Sequence, residues 1–268
     1  MSKNFELMQQ AGKEQARRPS SMPEPVSTVT FGNGHGNGHG NGHANGNGKR
    51  HREAEGLDLD LLAGEEVLRL VQRVFLLQSQ EPPHMVVFAG IDHGNGCSRL
   101  CVSVAETLAK NIRGSVCLVE ANLRSPALPE MFGTTNHHGL TDCLLHDGPI
   151  RTFAKPVRGE NLWLLSSGAL AADSANLLNS ERVQSRFAEL RKEFDFVLID
   201  APPLTPYSDA LAFGQLTDGF VLVVEANATR REAALQVAEN LRAANVRILG
   251  AVLNQRTFPI PEKLYSKL

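Results

Sequence analysis

The chain has 268 residues, 42% hydrophobic and 21% charged, which suits one sizeable domain with a buried core plus a tail. A formal net charge of -2 leaves no basic stripe of the kind nucleic-acid binding requires, so no nucleic acid is expected as a partner. Four cysteines lie in apolar or helical runs without a disulfide-like spacing, and no apolar run approaches the roughly 20 residues of a membrane helix. With a polar start after Met1 and no signal-peptide core, the expectation is a cytoplasmic protein with free thiols.

Residues 1–20 are predicted to form a short polar helix, ended by Pro19, Pro23 and Pro25. Residues 32–48 repeat the unit Gly-Asn-Gly-His and place His35, His39 and His43 at even spacing. Glycine-rich polar chain cannot offset its ordering entropy, so this stretch reads as a flexible linker. Its histidines are transition-metal ligand types, but without fixed geometry a solvated spacer is the plainer reading. Residues 1–56 are therefore read as an N-terminal tail, a short helix followed by a linker disordered over residues 19–56, and residues 57–268 as the folded domain.

A helix is predicted over residues 65–78, burying Val67, Leu68, Val71, Val74 and Phe75, with Pro82 and Pro83 closing it. Short apolar runs predict strands at 85–89, 116–119, 162–165, 196–199, 220–224 and 248–253. Helical spacing predicts helices at 98–112, 181–193 and 230–244, the last opened by a capping box of Thr229 and Glu232. Strands alternating with helices imply a three-layer α/β/α fold with a mostly parallel central sheet. Ligands then bind beyond the carboxyl ends of the strands.

Three such ends carry chemistry. The first strand runs into Gly90-Ile91-Asp92-His93-Gly94-Asn95-Gly96-Cys97-Ser98-Arg99 and then a helix. Strand, glycine loop and helix form the context in which backbone N–H groups and a helix dipole meet phosphate. A lysine normally precedes the serine; here Cys97 does, and Ile91 stands where the first glycine belongs, so this segment alone also fits an ordinary glycine-rich turn. A cysteine at a helix start is a candidate redox sensor, and His93, Cys97 and Cys101 are spaced by four like metal ligands. The plainer alternative is a small neutral replacement at Cys97 with Cys101 in the core. The second strand ends on Glu120, followed by Ala121-Asn122-Leu123-Arg124-Ser125-Pro126, and the strand at 196–199 ends on Asp200, followed by Ala201-Pro202-Pro203.

Together these blocks resemble the bacterial tyrosine-kinase family of capsule and exopolysaccharide assembly, part of the wider MinD/ParA group of P-loop ATPases. The resemblance runs from about Glu66 to Arg256 and includes Leu165-Ser166-Ser167-Gly168, Ala175-Asn176-Leu177-Leu178, Ser208-Asp209-Ala210, Asp218-Gly219 and Val252-Leu253-Asn254. Asn4 to Ala11 also resembles the opening helix of exopolysaccharide members. The resemblance implies a P-loop NTPase-like fold with ATP or ADP and Mg²⁺ as cofactors. It implies Gly94, Asn95, Gly96, Cys97, Ser98, Arg99 and Asn254 around the nucleotide, Ser98 and Asp200 at the metal, and Asp200, Glu120 and Asn122 at the catalytic positions.

Several positions depart from that pattern. Cys97 replaces the loop lysine, Glu120 and Asn122 replace two aspartates, and the tyrosine-rich tail is reduced to Tyr265 as candidate phosphoacceptor. In the family's oligomerisation helix, Glu66 and Arg69 match but Gln72, beside Arg73, takes the third position. Losing a charged hydrogen bond to phosphate is expected to cost about 1.5–3 kcal/mol, roughly ten- to a hundredfold in affinity. Arg99 offers another cation, but adjacent residues on a helix point about 100° apart.

The expected function is therefore that of a degenerate tyrosine-kinase-like protein, non-catalytic, with weak or absent nucleotide binding. It would serve as a regulatory or assembly subunit in polysaccharide export. The implied partners are a membrane polysaccharide co-polymerase as a separate chain, which would hold this one at the inner face of the membrane, and further copies or an active kinase as oligomer partners. The alternatives are an active tyrosine autokinase and a MinD/ParA-like positioning ATPase.

Overall fold

In a computed structural model, residues 27–28, 59–77, 82–169, 181–207 and 209–256 are described. The predicted helix over residues 1–20, the histidine tract, Ala175 to Leu178, Ser208 and Tyr265 lie outside the described residues.

The order of elements is β1 (Ser27–Thr28), α1 (Leu59–Val71), β2 (Met85–Gly90), α2 (Cys97–Asn111), β3 (Val116–Glu120), α3 (Leu128–Met131), α4 (Leu140–Leu145), β4 (Lys155–Pro156), β5 (Leu162–Leu165), α5 (Glu181–Glu193), β6 (Phe196–Asp200), α6 (Asp209–Gly214), β7 (Gly219–Glu225), α7 (Arg231–Ala243) and β8 (Ile248–Asn254). The strands form one sheet in the order β1-β8-β7-β2-β6-β3-β5-β4. Every pairing is parallel except β4 with β5. Ser27 and Thr28, inside the stretch read as tail, pair with Val252 and Leu253 at the sheet edge.

The two faces of the sheet explain why the strands read as unbroken apolar runs. All six residues of β2 and all five of β3 are buried, because helices cover both sides. Met85, Val87 and Ala89 pack with Val183, Phe187 and Leu190 of α5, Phe213 of α6 and Leu241 of α7. Val86 and Phe88 point the other way, onto Leu70, Val74 and Phe75 and onto Leu100, Val104 and Leu108 of α2. This period of two within β2 and three to four within the helices builds the three layers.

The structure corrects three local expectations. After α1 the backbone continues as a π-helical turn, Gln72–Leu76. The buried stripe is Val67, Leu70, Val71, Val74 and Phe75, while Leu68 is half-buried. Leu70 completes the i, i+3, i+4, i+7 row from Val67, and Leu68 falls off it. Thr229 and Glu232 form no capping box: Arg230 is the N-cap of α7 without a side-chain cap, and the Thr229 hydroxyl instead accepts the Glu225 N–H at 3.0 Å. Finally α3, α4, α6 and β4 were not predicted, being two to six residues long and too short to show a period. Among the described residues, no helix is long and apolar enough to cross a membrane.

Candidate functional site

The carboxyl ends of β8, β7, β2, β6 and β3 lie side by side, so the loops after β2, β3 and β6 converge. The loop after β2 turns into α2 through Gly94 (φ 82°) and Gly96 (φ 75°), a left-handed conformation that favours glycine. A Cβ on Gly96 would also lie 2.7 Å from Asn254 Nδ2. Neighbouring segments hold the loop from two sides. Leu204 and Thr205, after β6, donate their N–H groups to the carbonyls of Gly90 (2.9 Å) and Ile91 (3.0 Å). At the end of β8, Asn254 Nδ2 donates to the Asn95 carbonyl and Gln255 Nε2 to the Gly94 carbonyl, both at 2.7 Å.

Beneath this loop two carboxylates face each other. Glu120 and Asp200 are register partners at the ends of β3 and β6, and both are buried. Glu120 Oε2 accepts the N–H groups of Ala127 and Leu128, each at 2.8 Å, so the side chain staples the segment after β3 to the start of α3. Glu120 Oε1 and both Asp200 oxygens are buried without a hydrogen-bond partner. Burial, with the Asp200 charge second, pushes the Glu120 carboxyl up to about 8, opposed by the amides it accepts. Burial likewise pushes Asp200 up to about 6, and the Ser98 hydroxyl and Cys97 thiol facing it oppose the rise without closing a hydrogen bond of full geometry.

Burial sets the state of Cys97, and the carboxylates add to it. Burial first and the Asp200 charge second hold its thiol well above the usual range, so it stays protonated. The redox-sensor idea relied on a depressed thiol pKa at the helix start, and burial, with the Asp200 charge second, acts in the opposite direction. Cys101 is fully buried among apolar neighbours of α2. Among the described residues, no group of three or more His, Cys, Asp or Glu side chains is arranged to hold a metal ion.

The site residues anticipated from sequence come together, in two tiers. Gly94, Asn95, Gly96, Cys97, Ser98, Arg99, Asn122 and Asn254 line a pocket of about 360 Å³, while Glu120 and Asp200 lie under its floor. Gln255 was missed; it lies one residue beyond β8 with φ 56°, where a strand end should have prompted a search. Also missed was a rim built from three loops: the Arg124 guanidinium sits 4.5 Å over the Tyr207 ring, and His93 meets that ring edge-on at 5.7 Å.

The arrangement has known counterparts. A profile of the ParA family, described as NUBPL iron-transfer P-loop NTPase, matches residues 83–266. Tyrosine-protein kinase YwqD of Bacillus subtilis is 30% identical over 161 residues, 60% of this chain and 68% of YwqD. Succinoglycan biosynthesis transport protein ExoP of Rhizobium meliloti is 28% identical over 163 residues, 60% of this chain but 21% of ExoP. The crystal structure of the VpsO kinase domain superposes with a TM-score of 0.66 at 25% identity, covering 74% of this chain and 98% of that domain. The chain belongs to the ParA family of P-loop NTPases, among the bacterial tyrosine kinases of capsule and exopolysaccharide biosynthesis.

Proposed function

We propose that this chain is a non-catalytic member of its family, a regulatory or assembly subunit in capsule or exopolysaccharide biosynthesis that binds nucleotide weakly or not at all. One observation carries the reading. Where the family has a lysine to hold phosphate, this chain has Cys97, a short side chain without a positive charge at the pocket wall. Among the described residues, Arg99 is the one Lys or Arg lining the pocket, and it is exposed on the helix flank. The second carboxylate of the post-β3 motif is Asn122, which takes no proton.

The metal half of the site fits its expected ion better than the phosphate half fits a nucleotide. Two orphaned Asp200 oxygens next to the Ser98 hydroxyl suit a hydrated Mg²⁺, with Ser98 and Asp200 as the residues that would hold it. Bound there, the ion supplies charge neutralisation for phosphate oxygens. The relation to ExoP supports a place in polysaccharide assembly, with a membrane co-polymerase as a separate partner that brings this chain to the inner face of the membrane. An active kinase of the same family, or further copies of this chain, are the oligomer partners of that reading.

Calorimetric titration of the full chain with Mg-ADP tests it. The wild type should bind weaker than micromolar, and Cys97→Lys should tighten binding roughly ten- to a hundredfold. A micromolar wild-type Kd overturns the reading. The intact Ser98–Asp200 pair favours a second reading, an active autokinase. Phosphotyrosine on protein made in a host without other tyrosine kinases, and lost in Asp200→Ala, would establish that instead.

A further inference from the structure

The loop after β2 contains a side chain that behaves like a ligand. Asn95 is 3% exposed, although it lies at the turn between two glycines. Its Nδ2 donates to the Asp92 carbonyl at 2.6 Å and lies 3.5 Å from the Val223 carbonyl of β7. Its Oδ1 accepts the N–H of Cys97, the first residue of α2, at 3.2 Å. The amide lies so close to the backbone of Gly90 that a Cβ there would come within 1.8 Å of Nδ2. Gly90 therefore makes room for Asn95 at the end of β2, while Ile91 stands where the first glycine of the motif would fall.

The first amide of a helix behind a glycine loop is one of the donors such loops offer to phosphate. In this chain the donor is already engaged from inside. The loop is also tied by side chains, because Asn254 Nδ2 and Gln255 Nε2 donate to the carbonyls of Asn95 and Gly94. We infer that Asn95 is an internal occupant of the phosphate loop, an affinity-determining residue whose Oδ1 competes with incoming phosphate for the Cys97 N–H. This rests on reading Gly94–Ser98 as a phosphate loop. It adds a second, independent reason for weak binding beside the missing lysine: charge is lost at Cys97, and a donor is withheld by Asn95.

The test separates the two losses. Mg-ADP affinity is measured by calorimetry on the full chain carrying Cys97→Lys, then on the same chain with Asn95→Ala or Asn95→Val added. Asn95→Val retains most of the side-chain bulk over Gly90 and guards against collapse of the loop. Freeing one neutral donor should tighten binding about threefold to tenfold over Cys97→Lys alone. Thermal unfolding without ligand should show the Asn95 variants less stable, since the Cys97 amide then has no partner. A purely structural Asn95 would lower stability and affinity together; opposite movement of the two readouts is the signature expected here. Equal or weaker affinity in both added variants overturns the inference and leaves the reading of the site intact. No binding by Cys97→Lys at millimolar Mg-ADP overturns both.

Discussion

Two polar clusters lie buried at the same edge of the sheet, and they are finished differently. Around the end of β5, Thr141, Ser166 and Ser167 are at most 2% exposed, and each hydroxyl is bonded. Ser166 Oγ donates to the His138 carbonyl at 2.7 Å, Thr141 Oγ1 to the Ser167 carbonyl at 3.0 Å, and Ser167 Oγ accepts from Asn136 Nδ2 at 2.8 Å. Around the ends of β3, β6 and β8, Glu120 Oε1, both Asp200 oxygens and Asn254 Oδ1 have no partner. These are all the buried side-chain oxygens and nitrogens without a partner among the described residues. An unmet buried polar group costs about 1–3 kcal/mol, so the first cluster stabilises the fold and the second weakens it. The contrast separates scaffold from site without reference to any relative.

Breaking the closed cluster should have the largest effect. A Cβ on Gly139 would meet the Ser166 carbonyl oxygen at 2.0 Å and the Gly168 nitrogen at 2.5 Å, both backbone atoms. Gly139→Ala is expected to lose about 3 kcal/mol or more of stability in denaturant unfolding, because α4 must move. Gly94→Ala, with nothing within 4 Å of its Cβ but φ 82°, should lose only about 1–2 kcal/mol. Equal losses would remove the distinction between a crowded scaffold and an open site.

Relieving the open cluster should stabilise the protein. The folded pKa values of Glu120 and Asp200, about 8 and about 6, lie above the unfolded values near 4, so the folded state binds more protons in between. Their contribution to stability is therefore fully present below about pH 4 and declines as pH rises towards 8. Asp200→Asn should raise the ligand-free stability at pH 8 by about 1–3 kcal/mol and flatten the slope between pH 5 and 8. An unchanged or lower melting temperature at pH 8 would mean that the carboxylate is not penalised by burial. The smallest effect belongs to the rim. Tyr207→Ala removes a half-exposed cation–π contact with Arg124 and should lower stability by about 0.5–1 kcal/mol. A loss above 2 kcal/mol would place the rim with the scaffold instead.

The long elements were legible because their patterns are strong. Val183, Phe187 and Leu190 predict a helix at 181–193, and α5 spans those residues. Unbroken apolar runs predict β2, β3 and β6 because these strands are covered on both faces. The capping box at Thr229 failed because the hydroxyl has a competing donor in Glu225 N–H, visible only once β7 and α7 are placed. At the site, the residue types were readable in order along the chain, but their pairing was not. Glu120 and Asp200 become neighbours only through the register of β3 and β6, 80 residues apart. The inward turn of Asn95 depends on Gly90 and Val223 in two different strands, which no local pattern encodes.

The bonds from the end of β8 and the residue after it to the glycine loop span 159 and 161 residues of chain. Synthesis at about 5–20 residues per second puts roughly ten to thirty seconds between the appearance of the loop and of the amides that tie it. During that interval the nascent polypeptide carries the whole phosphate motif in sequence but lacks its clamp, and once β7 has been made its edge stays open until β8 follows. Docking of β8 closes both gaps at once. Completion of the pocket and protection of the sheet are thus one event in folding, and a delay in that step exposes both together.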